Sequence, residues 1–197
     1  MIIRIAPLLF CLLLACDADQ ELPVEGAPAA EQAQFELPSF ELTERSGDAV
    51  TKETLLGAPW IAGFAFTRCS GPCPKLSGLM ASLQPRLEGT PVKLVTFSVD
   101  PEHDTPQVLQ DYAKAFSAQG DRWWFLTGER ENVYDLINQG FRLGVQENAS
   151  APVGESIAHS TRLALVDAKG QVRGFFSSES PEAVDRLVER ARALAGE

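Results

Sequence analysis

At 197 residues with 45% hydrophobic side chains, the chain has enough apolar mass for one domain with a sizeable core plus a tail, and no second domain is required. The formal charge of −10, with Lys and Arg nowhere clustered, excludes nucleic acid as a partner, because phosphate binding depends on grouped basic side chains. Four cysteines, two of them near the N-terminus, exclude a fold stapled by several disulfides.

Residues 1–15 carry one basic side chain, Arg4, ahead of a short apolar run, which is the pattern of a secretory signal and not of a membrane span. Leu13-Leu14-Ala15-Cys16 resembles a bacterial lipobox, in which a small residue precedes a cysteine that becomes the acylated N-terminus. Cleavage elsewhere would instead leave Cys16 as a spare thiol. The expectation is a lipid-anchored protein of the bacterial cell envelope, on the periplasmic face of a membrane, and Asp17 resembles a signal for retention at the inner one. Residues 16–34, rich in Ala, Glu, Gln and Pro, read as a flexible tether, and residues 35–197 as the folded domain.

Residues 35–50 alternate apolar and polar side chains around Phe40-Glu41-Leu42-Thr43 and turn at Ser46-Gly47-Asp48, predicting an N-terminal β-hairpin. Residues 59–66 form an almost continuous apolar run, the mark of a strand buried on both faces. Cys69 and Cys73 follow directly, and Pro74 opens a helix carrying Leu76, Leu79, Met80 and Leu83. A second buried strand over residues 92–99 ends in Asp100-Pro101, and Thr105-Pro106 starts the next helix. Residues 123–126 make a short strand, with Trp123 and Trp124 read as packing residues; Thr127 is expected to cap a helix closed by Gly140. The polar stretch 146–156 reads as a mobile loop leading to His159. A hairpin over residues 161–176 and a helix opened by Ser180-Pro181 complete the chain. Strands alternating with helices in this order predict a three-layer α/β sandwich.

In such sheets, sites collect beyond the carboxyl ends of the parallel strands, which is where Cys69, Cys73 and Asp100 fall. With Cys11 leaving in the signal and Cys16 occupied by lipid, Cys69 and Cys73 are the free thiols, and at this spacing they read as a small disulfide, a redox pair or metal ligands. Amides at a helix N-terminus are expected to favour their thiolates. The two histidines are His103 and His159; two thiolates with one imidazole leave a tetrahedral zinc site incomplete but suit Cu(I), and also hold Cu(II).

Four separated motifs carry a resemblance. Phe66-Thr67-x-Cys69-x3-Cys73-Pro74, then Ser98-Val99-Asp100-Pro101-Glu102-x-Asp104-Thr105-Pro106, then Leu126-Thr127-Gly128, then His159-Ser160-Thr161 with Leu165-Val166-Asp167, are similar in order and spacing to the Sco/SenC proteins. The resemblance implies a thioredoxin-like three-layer α/β/α sandwich and copper held by Cys69, Cys73 and His159. It also implies delivery of that copper to a cytochrome oxidase subunit, and thiol-disulfide activity of the Cys69/Cys73 pair toward the acceptor's cysteines. Asp100 is expected to support the site or dock a partner, and His103, at a position usually basic in the family, reads as a surface substitution. Ser70-Gly71-Pro72 stands where the family commonly has Pro and an acidic residue after the first cysteine. A thiol-disulfide oxidoreductase without copper transfer is the alternative function. A peroxiredoxin-like peroxidase is disfavoured, because Thr67 stands two positions before Cys69 where that chemistry needs three.

Overall fold

The computed structural model describes residues 29–196, so the expected signal, the acylated Cys16 and most of the tether lie outside the described residues. All six residues of β4 (Trp60–Ala65) are buried, and their alternation sets the layering. Trp60, Ala62 and Phe64 face one apolar cluster and Ile61 the other; β5 (Lys93–Ser98) splits in the same way, with Val95 and Phe97 on the first face and Leu94 on the second. Together with β6 (Trp123–Thr127) these strands form the parallel centre of an eight-stranded sheet.

Numbered in chain order, the remaining strands of that sheet are β1 (Phe35–Glu36), β2 (Glu41–Glu44), β3 (Ala49–Thr51), β9 (Leu163–Val166) and β10 (Gln171–Phe176), and the sheet runs β1-β10-β9-β4-β5-β6-β2-β3. Three helices, α2 (Cys73–Arg86), α3 (Pro106–Ala115) and α5 (Pro181–Leu194), pack Leu76, Met80, Leu83, Leu109, Val184 and Leu187 on one face. Across the sheet, α1 (Lys52–Leu55), α4 (Arg130–Asp135) and a π turn continuing α4 through Leu136–Gly140 bury Leu55, Val133, Leu136 and Ile137. Phe141 closes this face, its ring 5.0 Å from Phe64, 5.4 Å from Phe97 and 6.1 Å from Trp60. The result is the expected thioredoxin-like α/β/α sandwich.

Several elements depart from the sequence reading. The N-terminal hairpin is confined to β2 and β3, while β1 crosses to the opposite edge and pairs with β10. Thr127 does not cap a helix: pairing with Thr43 keeps it in β6, and Glu129 takes the N-cap position of α4. Thr105 and Ser180 do cap α3 and α5, accepting from the amides of Val108 and Ala183. Ordered backbone also begins ahead of Phe35, with a 3-10 turn at Ala29–Gln32. There the buried Glu31 receives Arg186 Nε and Nη2 at 2.8 and 2.7 Å, and its carbonyl accepts from Arg190. Among the described residues, no helix is long and apolar enough to cross a membrane.

Candidate metal centre

At its carboxyl end β4 runs into Thr67, which a buried carboxylate fixes in place. Asp104 accepts from Thr67 N at 3.1 Å, Thr67 Oγ1 at 2.5 Å and Ser98 Oγ at 2.6 Å, tying the ends of β4 and β5 together. The chain then turns, with Cys69 N donating to Phe66 O at 3.2 Å, and re-enters regular structure at Cys73, the first residue of α2. Both cysteines are buried and free, and the Cys69 thiol bears on the ionisation of Cys73.

His159 is brought to them by an element the sequence reading missed. Residues 148–156 form the irregular connection that the sequence suggests, with a 3-10 turn at Val153–Glu155, but it joins the strands of a two-stranded hairpin, β7 (Val145–Glu147) with β8 (Ile157–His159), in the register Val145 to His159 and Glu147 to Ile157. A row of side chains four residues apart on α4 and its π continuation holds this hairpin. Arg130 Nη2 lies 2.8 Å from Glu147 Oε1, Tyr134 Oη lies 3.2 Å from the same oxygen, and Asn138 Oδ1 accepts from Val145 N at 3.1 Å.

At the end of β8, His159 Nε2 lies 3.3 Å from Cys73 Sγ. Its Nδ1 lies 3.0 Å from Ser160 O, and because a carbonyl can only accept, Nδ1 carries the ring proton and the Nε2 lone pair faces the sulfur. Phe66 packs edge-on against the imidazole with centroids 5.9 Å apart. Burial lowers the His159 pKa, only partly offset by the Ser160 carbonyl, so the ring is neutral. At Cys73 the expected thiolate is not favoured. Burial pushes this thiol well above its ordinary range, and the contact with Cys69 pushes it the same way. Without metal the centre is therefore a protonated thiol facing a neutral imidazole, and a soft cation entering it must displace thiol protons. Two sulfurs and one nitrogen on three converging elements fit a soft monovalent cation better than a closed structural zinc site.

Asp100 sits just past β5 and is buried; its Oδ2 takes Arg68 Nε at 2.9 Å and Nη2 at 2.6 Å, so it holds the side chain immediately before Cys69. His103 is more than a surface substitution: Nδ1 stands 3.1 Å from Asp104 Oδ1 and 3.3 Å from Thr67 Oγ1. Possible ligand atoms of Asp100, His103 and Asp104 lie within 4.8 Å of one another, but Arg68 already neutralises one carboxylate and three donors occupy the other, leaving no competent cation site. Trp123 is fully buried and donates to Thr96 Oγ1 at 2.9 Å, while Lys93 covers the Trp124 ring at 3.9 Å, so both serve packing. Asp104 and Thr67 fell inside motifs singled out from the sequence, yet nothing there marked them as the joint beneath the dithiol loop.

Known proteins share this fold. The family model described as SCO1/SenC matches residues 28–195. The SCO1 protein homolog of Bacillus subtilis is 32% identical over 171 residues, covering 85% of this chain and 82% of the relative. A SCO1/SenC family lipoprotein from Bacillus anthracis superposes with a TM-score of 0.74 at 29% identity, over 82% of this chain and 95% of that one. Arabidopsis thaliana ScoI with copper bound gives a TM-score of 0.67 at 26% identity, over 81% and 99%. The motifs, the fold and these matches agree, and the chain belongs to the SCO1/SenC family.

Proposed function

We propose that this protein is a copper metallochaperone, tethered to the bacterial envelope through lipid on Cys16, that delivers copper to a respiratory oxidase copper centre. The observation that carries the reading is the 3.3 Å approach of His159 Nε2 to Cys73 Sγ, with the Cys69 sulfur alongside and the imidazole tautomer already set for ligation. Cys69, Cys73 and His159 would hold the cargo, and the relative with copper bound shares the fold that brings these residues together. Three ligands leave Cu(I) open to a further donor, so an acceptor's thiolates can take it by stepwise exchange. Protons leave the two thiols on loading and return on release. Anaerobic titration of the reduced protein is expected to end at a single equivalent of Cu(I), and His159→Ala to weaken binding by about tenfold or more. Uptake unchanged by that substitution refutes the ligand set.

Two buried free thiols four positions apart at one strand end favour a second activity of the same pair. One thiolate attacks an acceptor disulfide, a mixed disulfide forms and one acceptor thiol leaves; the other cysteine then displaces the second acceptor thiol. The acceptor gains two electrons and two protons while a Cys69–Cys73 disulfide forms. Copper-independent reduction of an acceptor peptide, retained in His159→Ala, identifies this activity as separate from copper transfer.

A further inference from the structure

The hairpin that ends in His159 also touches the dithiol loop at its tip. Ser70 N donates to Gly154 O across 3.1 Å, joining the 3-10 turn Val153–Glu155 to the loop between the cysteines. A side chain at position 154 has no room: its Cβ would stand 2.8 Å from Ser70 Cβ and 3.0 Å from Ser70 N, and closer still to the hydroxyl. Gly154 is not among the glycines with positive φ, so its backbone is open to any residue, and the closeness of Ser70 is what requires glycine. At its root the hairpin is fixed through β7 by Asn138, Tyr134 and Arg130; His159 pairs with Val145 at that end of the ladder, and the strand that bears it starts directly after the tip turn that holds Gly154. An arm with a fixed root has its angle set by whatever holds the tip.

We propose that Ser70 and Gly154 are positioning residues whose backbone hydrogen bond latches the histidine arm to the dithiol loop, holding His159 and Cys73 in register before any cargo arrives. The inference rests on reading Cys69, Cys73 and His159 as the ligand set. An ordered arm spares binding the cost of ordering it, so the latch tightens copper binding without touching copper. A methyl group at position 154 pushes the tip off the loop, strips the Ser70 amide of its acceptor and lets the imidazole drift from the sulfur.

The test compares Gly154→Ala, Ser70→Gly and the double variant with the wild type, all as the full reduced chain. Hydrogen exchange of the residue 70 amide and the His159 imidazole resonances are followed without metal, and the Cu(I) dissociation constant is measured by chelator competition. In Gly154→Ala the amide is expected to exchange faster, the imidazole resonances to shift, and Cu(I) to bind about tenfold more weakly. In the double variant the obstructing Ser70 side chain is gone and only the 3.0 Å approach to the residue 70 nitrogen remains, so all three should move most of the way back, the affinity to within about threefold of wild type. An unmoved amide or imidazole in Gly154→Ala, wild-type affinity there, or failure of Ser70→Gly to rescue it overturns the latch. A wild type that binds no copper while its metal-free signals respond as expected overturns the copper reading and leaves the latch standing.

Discussion

Replacing Asp104 by Asn preserves the shape at the root of the dithiol loop and removes its charge. The Thr67 amide can only donate, so the new side chain must keep its oxygen toward Thr67 N and Ser98 Oγ, at 3.1 and 2.6 Å. Its NH2 then faces Thr67 Oγ1, which can rotate and accept in place of the 2.5 Å bond that it donates in the wild type. The same NH2 faces His103 Nδ1, 3.1 Å from Oδ1 in the wild type, which accepts from it in the tautomer protonated on Nε2. No partner is then orphaned, but three charge-assisted hydrogen bonds become neutral, each falling by about 1 kcal/mol. Burying an amide costs less than burying a carboxylate, which returns part of that, so the net loss of stability is about 2 kcal/mol. Urea unfolding of the reduced, metal-free protein measures it as a lower midpoint at unchanged slope. A loss below about 0.5 kcal/mol would mean that the carboxylate does not hold the ends of β4 and β5 together, and the reasoning fails.

Phe141→Ala removes a fully buried ring touching Phe64, Phe97 and Trp60, and should cost about 3–5 kcal/mol in the same unfolding experiment while leaving the sulfur and imidazole chemistry in place. The metal-free protein should also lose stability at both ends of the pH range. The His159 pKa lies below its ordinary 6.5 in the fold, so as pH falls past 6.5 the unfolded chain takes up a proton first and stability declines. The Cys73 pKa lies above its ordinary 9.0, so as pH rises past 9.0 the unfolded chain ionises first and stability declines again. Denaturation midpoints followed across both limits check this, and the acid limb should flatten in His159→Ala; an acid limb unchanged by that substitution contradicts the assignment.

What could be read from sequence followed burial. The run through Trp60 and Phe64 announced its strand because both faces are covered, and the cysteines after it fell at the strand end as a matter of chain length. The hairpin carrying His159 gave no such signal. Of its six strand residues only Val145 and Ile157 are buried, so no alternation distinguishes it from a loop, and its order comes from polar contacts with Arg130, Tyr134 and Asn138. His159 is 86 positions from Cys73, and only the family resemblance linked them ahead of the fold. Asp104 was hidden for a related reason: a carboxylate in a polar stretch looks solvated, and its burial depends on Thr67 and Ser98 arriving from two other segments. Thr127 misled because a Thr before Gly is a plausible cap, whereas its strand pairing with Thr43 was decided by the distant β2.

The main sheet's margins limit how another protein can approach. The outermost strands, β1 and β3, are two and three residues long, and β3 runs straight into α1. Neither offers a row of free amides and carbonyls long enough to template an incoming strand, so copies of the chain are protected from edge-to-edge aggregation. For the same reason a partner protein gains little footing on that sheet by strand addition. Recognition of the acceptor proposed above would fall to side-chain contacts with the loops around the sulfurs, which can be remodelled without disturbing the sheet.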